Sequence, residues 1–374
     1  MTNKEEESVT KPYRLIVWGP GEIGGAVVRS AIGNPSFEIV GAKVFSPHKH
    51  GQDIGELVGL EPIGVQATTS RDEIVATDAD CVILTPDARA LADGLDDDVI
   101  ALLESGKNVI ATVAYHNVTL PDSFVTSRAS AADLHAACRK GQSSLLGTGI
   151  HPSFMVESVA LTMARALTET THIRIVEAFD FSAAPEGMWG GLAHLGFGTD
   201  PAELDSSSFI ARFGDLYYPK IAGNVGYALY GAETKDIRIE SQVRGLPAEQ
   251  DFQVHSLQIK KGKTAALHLI HRGFMGETPF YTNEEIWYLA PGCVFRGDDL
   301  PFDGFRGHLC YTLEVNGKPA NLRTQIEWEV TEPRNPITNG SVEVMLKAVP
   351  SVCTAEPGVL LDDHSPHYRV DPRD

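Results

Sequence analysis

Tyr13-Arg-Leu-Ile-Val-Trp-Gly19-Pro-Gly21-Glu-Ile-Gly24 is the stretch from which the rest of the chain is read. A short apolar run of strand formers meets a Gly-x-Gly-x-x-Gly turn, and a helix-prone segment, Glu22 to Ala31, follows at once. Strand, turn and helix in that order are the context a dinucleotide fingerprint requires, whereas the bare motif also occurs in tight turns that bind nothing. Gly19 is expected to make the turn, Gly21 to let the backbone approach a pyrophosphate, and Gly24 to let the helix pack closely on the sheet. The first N–H groups of the helix are then left facing an anion.

The chain has 374 residues, too many for one ordinary core, and its 43% hydrophobic content suffices for two domains. The balance of 31 basic against 50 acidic residues, a net charge of −19, is spread without an acidic block. It argues against nucleic acid or an anionic membrane as partner. No apolar run approaches the roughly 20 residues of a bilayer span, and Met1-Thr-Asn-Lys-Glu-Glu-Glu7 has no apolar signal-peptide core, so a cytoplasmic protein is expected. The five cysteines are scattered and odd in number, without any Cys-x-x-Cys, and read as buried small hydrophobes. The 13 histidines form no His-x-x-x-His pair with a carboxylate, so no metal site is expected.

Residues 1–12 read as a disordered tail. Residues 13–150 alternate strands with helices and predict an α/β, Rossmann-type doubly wound parallel sheet: strands at Tyr13–Trp18, Phe37–Phe45, Gly64–Ala67, Asp80–Thr85, Asn108–Thr112 and Ser144–Gly147. Residues 151–335 change character. A helix at Phe154–Leu167 and a long strand at His172–Phe181 precede strand-like runs at Ile237–Val243, Phe252–Ile259, Thr264–His271, Ile286–Leu289, Leu309–Val315 and Thr324–Val330. They predict an α+β substrate and dimerisation domain with a large mixed or antiparallel sheet. The Gly- and aromatic-rich stretch from Gly187 to Gly231, with Trp189, shows no clean period and reads as packed connections rather than a lid. Residues 336–374, with a helix over Val342–Val349, read as a segment returning to the first domain. A homodimer is expected through the open face of the second sheet.

The cofactor follows from the end of the second strand. In this fold an acidic residue about 20 positions after the glycines grips the ribose of NAD, whereas a 2′-phosphate needs hydroxyl and basic groups. Here the place reads Val44-Phe45-Ser46-Pro47-His48-Lys49-His50, and no carboxylate occurs between Glu38 and Asp53. Ser46, Lys49 and either histidine are suited to the phosphate, so NADP is preferred over NAD. An FAD reading finds no further support.

Gly51-Gln-Asp-Ile-Gly-Glu-Leu-Val-Gly59, behind Gly19-Pro-Gly21-Glu-Ile-Gly24, resembles the N-terminal domain of 4-hydroxy-tetrahydrodipicolinate reductases. Gly147-Thr-Gly-Ile-His-Pro-Ser-Phe154 and Ala348-Val-Pro-Ser-Val-Cys-Thr-Ala-Glu-Pro-Gly358 resemble motifs of a related branch, the 2,4-diaminopentanoate dehydrogenases and native amine dehydrogenases. The resemblance covers most of the chain and implies an NAD(P)-dependent oxidoreductase. It implies cofactor contacts at Gly19, Gly21, Glu22, Ile23 and Gly24, at Thr85 and Pro86 after the fourth strand, and at Thr112, Val113 and Ala114 after the fifth. The catalytic residues do not carry over. Reductases of this kind have a histidine-rich segment with a lysine where this chain has Glu177-Ala-Phe-Asp-Phe-Ser-Ala-Ala-Pro-Glu-Gly187, and the glutamate that follows the fifth strand in the amine dehydrogenases is replaced by Val113-Ala114-Tyr115-His116.

Hydride transfer to C=O, C=N or activated C=C leaves charge on oxygen, nitrogen or an enolate, so a proton donor must stand nearby. Tyr115 and His116 follow a parallel strand's C-terminal end, where ligands bind in this architecture, and His151 stands in a loop at the expected hinge between domains. The same residues also fit a core tyrosine with its hydroxyl at the edge, a solvated histidine, and an ordinary cap or hinge residue. Glu177 and Asp180 lie at odd spacing on one predicted strand, so at most one faces a pocket. The expected function is NAD(P)H-dependent reduction of a small organic C=O or C=N substrate, with reversal. Amine dehydrogenation is the runner-up, and a catalytically inactive dinucleotide sensor is the non-enzymatic alternative.

Overall fold

The structure, a computed structural model, describes residues 11–86, 94–120, 128–183, 192–254, 256–295, 309–329 and 335–361. Trp189 and nearly all of the expected N-terminal tail lie outside the described residues. The chain divides into two units. One holds the chain up to Thr112 together with Ala129–Leu146 and Ser341–Leu360; the other holds Val113–Arg128 and Gly147–Gly340. Among the described residues no helix is long and apolar enough to cross a membrane.

In the first unit β1 (Tyr13–Trp18), β2 (Phe37–Lys43), β3 (Ala67–Thr68), β4 (Cys81–Leu84), β5 (Asn108–Ala111), β6 (Ser144–Gly147) and β15 (Gly358–Leu360) form one sheet in the order β15-β6-β5-β4-β1-β2-β3. The pairs β1–β2, β1–β4, β2–β3, β4–β5 and β6–β15 are parallel. Leu15, Ile16, Val17 and Trp18 are all fully buried, as continuous apolar strands must be when helices cover both faces. The helix Glu22–Ala31 turns Ala26, Val27, Val28 and Ala31 into this core. The helix Ala131–Gly141 starts with a capping box in which Ser130 and Asp133 satisfy each other's backbone N–H. The last helix, Pro336–Thr354, is longer than its apolar pattern suggests, and Val342, Met345, Leu346, Val349 and Val352 sink into the same core. β15 was not expected: three residues at a sheet edge leave too short a pattern to read.

In the second unit β7 (Glu169–Asp180), β8 (Ile237–Pro247), β11 (Thr264–Met275), β12 (Thr278–Tyr288), β13 (Leu309–Lys318) and β14 (Leu322–Glu327) form a mixed sheet ordered β14-β13-β7-β12-β11-β8, in which only β7–β12 is parallel. The helical segment Ile150–Ala160, continued by Leu161–Ala164, packs on β13 and on the helix Tyr218–Tyr230, which itself packs on β8, β11 and β12.

Three expectations about this unit are corrected. The stretch read as connections between Gly187 and Gly231 contains, among its described residues, the helices Phe209–Gly214 and Tyr218–Tyr230. The second is buried at Tyr218 through Gly226 and at Ala228 and Leu229, and a helix covered on all sides shows no amphipathic period. Phe252–Ile259 is a small separate hairpin, β9 (Phe252–Val254) with β10 (Leu257–Ile259). The strand expected at Ile286–Leu289 begins at Thr278, because Asn283, Glu284 and Glu285, which read as loop residues, are sheet residues with specific partners.

Candidate active site

The glycine turn of the first unit is closed by backbone hydrogen bonds: Gly19 N–H donates to the Lys43 carbonyl at 3.0 Å, and Gly21 N–H to the Gly19 carbonyl at 2.7 Å. Gly19 has φ +89°, and a Cβ there would lie 2.8 Å from the Thr85 carbonyl oxygen. A Cβ on Gly24 would lie 2.4 Å from the Gly19 oxygen and 2.5 Å from Thr85 Oγ1. Thr85 Oγ1 donates to the Gly19 carbonyl at 2.9 Å, so this threonine fixes the turn. Gly21 differs: a Cβ there would meet nothing within 4 Å. The turn thus offers open space against its middle glycine, beside the first-turn N–H groups of Glu22, Ile23 and Gly24, which an α-helix leaves without intrahelical partners.

At the end of β2, Ser46 opens a single turn, Pro47–Lys49, and both Ser46 and Lys49 are partly exposed. Lys43, which sequence reading passed over as a strand residue, is buried. Its ammonium lies 5.5 Å from the Trp18 ring centroid and 4.6 Å from that of the exposed Phe45. Burial lowers its pKa. Pro86 and Thr112 follow β4 and β5 within this unit, whereas Val113 and Ala114 group with the second unit, Ala114 in the left-handed region at φ 65°.

In the second unit the sheet's period of two sorts polar residues onto opposite faces. Glu177 on β7 and Glu285 on β12 stand side by side in register. Glu177 accepts from Trp287 Nε1 at 2.7 Å and from the Tyr311 hydroxyl at 2.8 Å. Glu285 Oε1 lies 3.3 Å from His151 Nε2, and Glu285 Oε2 lies 3.6 Å from His271 Nδ1. All four of these side chains are essentially buried, Glu285 completely. Tyr218 and Tyr311 set their rings 5.5 and 5.3 Å from that of His151.

Burial dictates the protonation of this layer. It pushes Glu177 up to about 7, against the pull of its two hydrogen bonds, and Glu285 well above the carboxylate range, with Glu177 and Glu284 adding repulsion. His151 falls to about 3 through burial, with repulsion from His116 and His271, and His271 falls to about 3 through burial alone. His151–Glu285 is therefore a neutral acid–imidazole contact with the proton on the carboxyl, not an ion pair. Glu284, one residue earlier and on the opposite face, shows what partners do: burial opposes ionisation, yet His268 and Arg174 hold it down at about 2.

This gives a stability prediction. Glu177 binds its proton more tightly folded than unfolded, so its contribution is complete below its ordinary value of 4.5 and is lost as pH rises through about 7. Relative to Glu177→Gln, the wild type is expected to lose on the order of 3 kcal/mol of unfolding free energy across that window and nothing more above it. Urea titrations of both proteins at stepped pH read this, and a constant difference would show the carboxyl to titrate normally. His151 and His271 act with the opposite sign, costing stability as pH falls from 6.5 towards 3, and cancel in the comparison.

Of the residues singled out from sequence, His151 lies in this layer and His116 is near enough to act on it electrostatically. The His116 ring stands 6.0 Å from that of Tyr217, and its carbonyl accepts from Asn224 Nδ2 at 2.9 Å. Asn224 also donates to Glu157 at 2.7 Å. Tyr115 is fully buried, with the Arg128 guanidinium 5.0 Å over its ring. A Cβ on Gly147 would lie 2.2 Å from the Tyr115 carbonyl carbon, so the glycine is required for this segment to seat. Of the Glu177 and Asp180 pair, Glu177 faces the polar layer while Asp180 accepts from the Ser182 backbone. Glu285 and His271 were missed. Their signal was the run Tyr281, Asn283, Glu285, Trp287, whose polar members fall at the buried positions of the β12 alternation. Among the described residues no group of three metal-ligating side chains is assembled.

Residues 13–112 match the family model described as dihydrodipicolinate reductase, N-terminus. The chain is 23% identical to an amine dehydrogenase of Streptomyces virginiae over 349 residues, 92% of this chain and 93% of the relative. An amine dehydrogenase structure from Mycobacterium smegmatis superposes with a TM-score of 0.66 at 21% identity, covering 96% of this chain and 98% of the other. The myo-inositol 2-dehydrogenase structure from Lactobacillus plantarum gives 0.52 at 12% identity, covering 94% and 91%. Over nearly its whole length the chain shares the fold of these dehydrogenases, with residues 13–112 of the dihydrodipicolinate reductase N-terminal kind, and the protein is an oxidoreductase.

Proposed function

We propose that the protein moves a hydride between a nicotinamide dinucleotide, NADP in preference to NAD, and a small organic C=O or C=N group, with His151 and Glu285 handling the proton. The observation that carries this reading is the buried 3.3 Å contact between His151 Nε2 and Glu285, where burial favours the neutral acid beside an imidazole. The dinucleotide, when bound, supplies the hydride. The open face of Gly21 and the N–H groups of Glu22, Ile23 and Gly24 hold its pyrophosphate, while Thr85, Pro86, Thr112, Val113 and Ala114 are the further contacts the family resemblance assigns. Ser46 and Lys49 hold the 2′-phosphate, with no carboxylate from Val44 to Gln52 to repel it.

His151 Nδ1, which makes no hydrogen bond among the described residues, gives its proton to the substrate heteroatom as Nε2 receives that of Glu285. We assign the donor to His151 rather than Tyr115 because the tyrosine is fully buried with the Arg128 guanidinium 5.0 Å over its ring. An NADPH-oxidation screen over ketones, aldehydes and enones tests the reading, and silence across all of them would end it. The cofactor preference has its own test: Ser46→Glu is expected to weaken NADPH binding about tenfold or more by calorimetry while sparing NADH. Equal weakening of both would remove Ser46 from the phosphate site.

A second reading, amine dehydrogenation, is favoured by the side-by-side Glu177 and Glu285. Two neutral buried carboxyls become an anionic seat when an ammonium arrives, which replaces the glutamate absent after β5. Turnover that requires ammonium in the same screen would select it.

A further inference from the structure

The buried acid needs a source of protons, since each hydride transfer takes up or releases one. Beyond Glu285 the chain of titratable groups continues. His271 Nδ1 lies 3.6 Å from Glu285 Oε2, and His271 Nε2 lies 3.9 Å from Asp215 Oδ1. Asp215 also accepts from Ser241 Oγ at 3.2 Å, and its side chain is 23% exposed where His271 is 2%. A small pocket lined by Asp215, Ser241, Gln242 and His271 together with the apolar Ala211, Val243 and Leu269 lies at that end. Four groups, two on the neighbouring strands β11 and β12, one at the end of the helix Phe209–Gly214 and one in the segment Ile150–Ala160, therefore run from a partly exposed carboxyl to a buried imidazole.

We propose that Asp215, His271 and Glu285 form a proton relay that connects this pocket to His151. The proposal rests on the reading of His151 as proton donor. In the reductive direction the N–H bond at His151 Nδ1 breaks as the substrate O–H or N–H bond forms. The Glu285 carboxyl proton passes to His151 Nε2, the His271 Nδ1 proton passes to Glu285 Oε2, and His271 Nε2 takes a proton from Asp215, which recovers it from water. One proton crosses from solvent to substrate, nothing in the protein is oxidised or reduced, and rotation of the rings resets their tautomers. The 3.6 and 3.9 Å gaps exceed hydrogen-bond range, so each hop requires the carboxyl or ring to turn inward. Of the other ionisable neighbours, Glu177, Tyr218, Tyr281 and Tyr311 interact with the same carboxyl and Glu284 acts on it by charge from the opposite face; none lines the pocket, so they set its proton affinity without offering an exit.

Two measurements on the full-length protein test this with Asp215→Asn, an isosteric change at a partly exposed site, and His271→Gln. In 15N-histidine NMR spectra of the cofactor-free protein, solvent exchange of the His151 ring proton is expected to slow about tenfold or more in both variants. With the substrate found in the screen, kcat is expected to fall about tenfold or more with KM nearly unchanged, and free imidazole is expected to restore part of it in Asp215→Asn. Unchanged exchange, with or without a fall in kcat, overturns the relay. Slowed exchange in a protein that turns over no carbonyl or imine supports the relay and overturns the reading of His151 as a reductive proton donor.

Discussion

Glu285→Gln is expected to lower kcat by two to four powers of ten while leaving the fold intact. The substitution is informative because Glu285 is buried completely and held neutral, so an amide of the same shape keeps both its size and its charge. What is lost is the transferable proton. His151→Ala should lose turnover to the same extent, and the double variant should be no slower than either single one, because the two groups act as one unit. Single-turnover rates of hydride transfer, measured with thermal unfolding of each variant, check both statements. Turnover within a few-fold of wild type in Glu285→Gln would remove the acid from the chemistry.

Gly24→Ala should abolish useful dinucleotide binding, with a loss of at least about 100-fold in affinity, and destabilise the first unit by about 1–3 kcal/mol. Its Cβ would meet the Gly19 carbonyl at 2.4 Å and Thr85 Oγ1 at 2.5 Å; the first is backbone and cannot swing aside, so the turn must open. Gly21→Ala is the contrast. Its Cβ meets nothing within 4 Å, so stability should stay within about 0.5 kcal/mol of wild type while affinity falls, because the methyl group occupies the space the pyrophosphate needs. Calorimetric titration with NADPH, paired with urea unfolding, separates the two effects. Equal stability losses at both positions would refute the assignment of Gly21 to the ligand side.

The difference between the two units explains what could be read early. The parallel sheet was visible because Leu15 to Trp18 and Cys81 to Leu84 are buried on both faces and are apolar throughout, with Gly19 and Gly24 marking the turn. His151 was singled out because Gly149-Ile-His151-Pro152 stands just before a helix at the expected hinge between domains, where pockets form. Helix Tyr218–Tyr230 escaped notice because nearly every face of it is covered, and Glu285 because a buried acid in sequence is indistinguishable from an exposed one.

The sequence by itself determined the strand–turn–helix of the dinucleotide fingerprint, the alternation of strands and helices up to β6, and the absence of a carboxylate where NAD would want one, since each depends on residues close together in the chain. Only the tertiary structure decided that His151 meets Glu285 across 134 positions, that Glu285 stands beside Glu177, and that His271 lies between Glu285 and the partly exposed Asp215. Register between β7, β12 and β11 creates those contacts, and burial beneath the helices sets their protonation. Neither quantity is a property of any local stretch of residues.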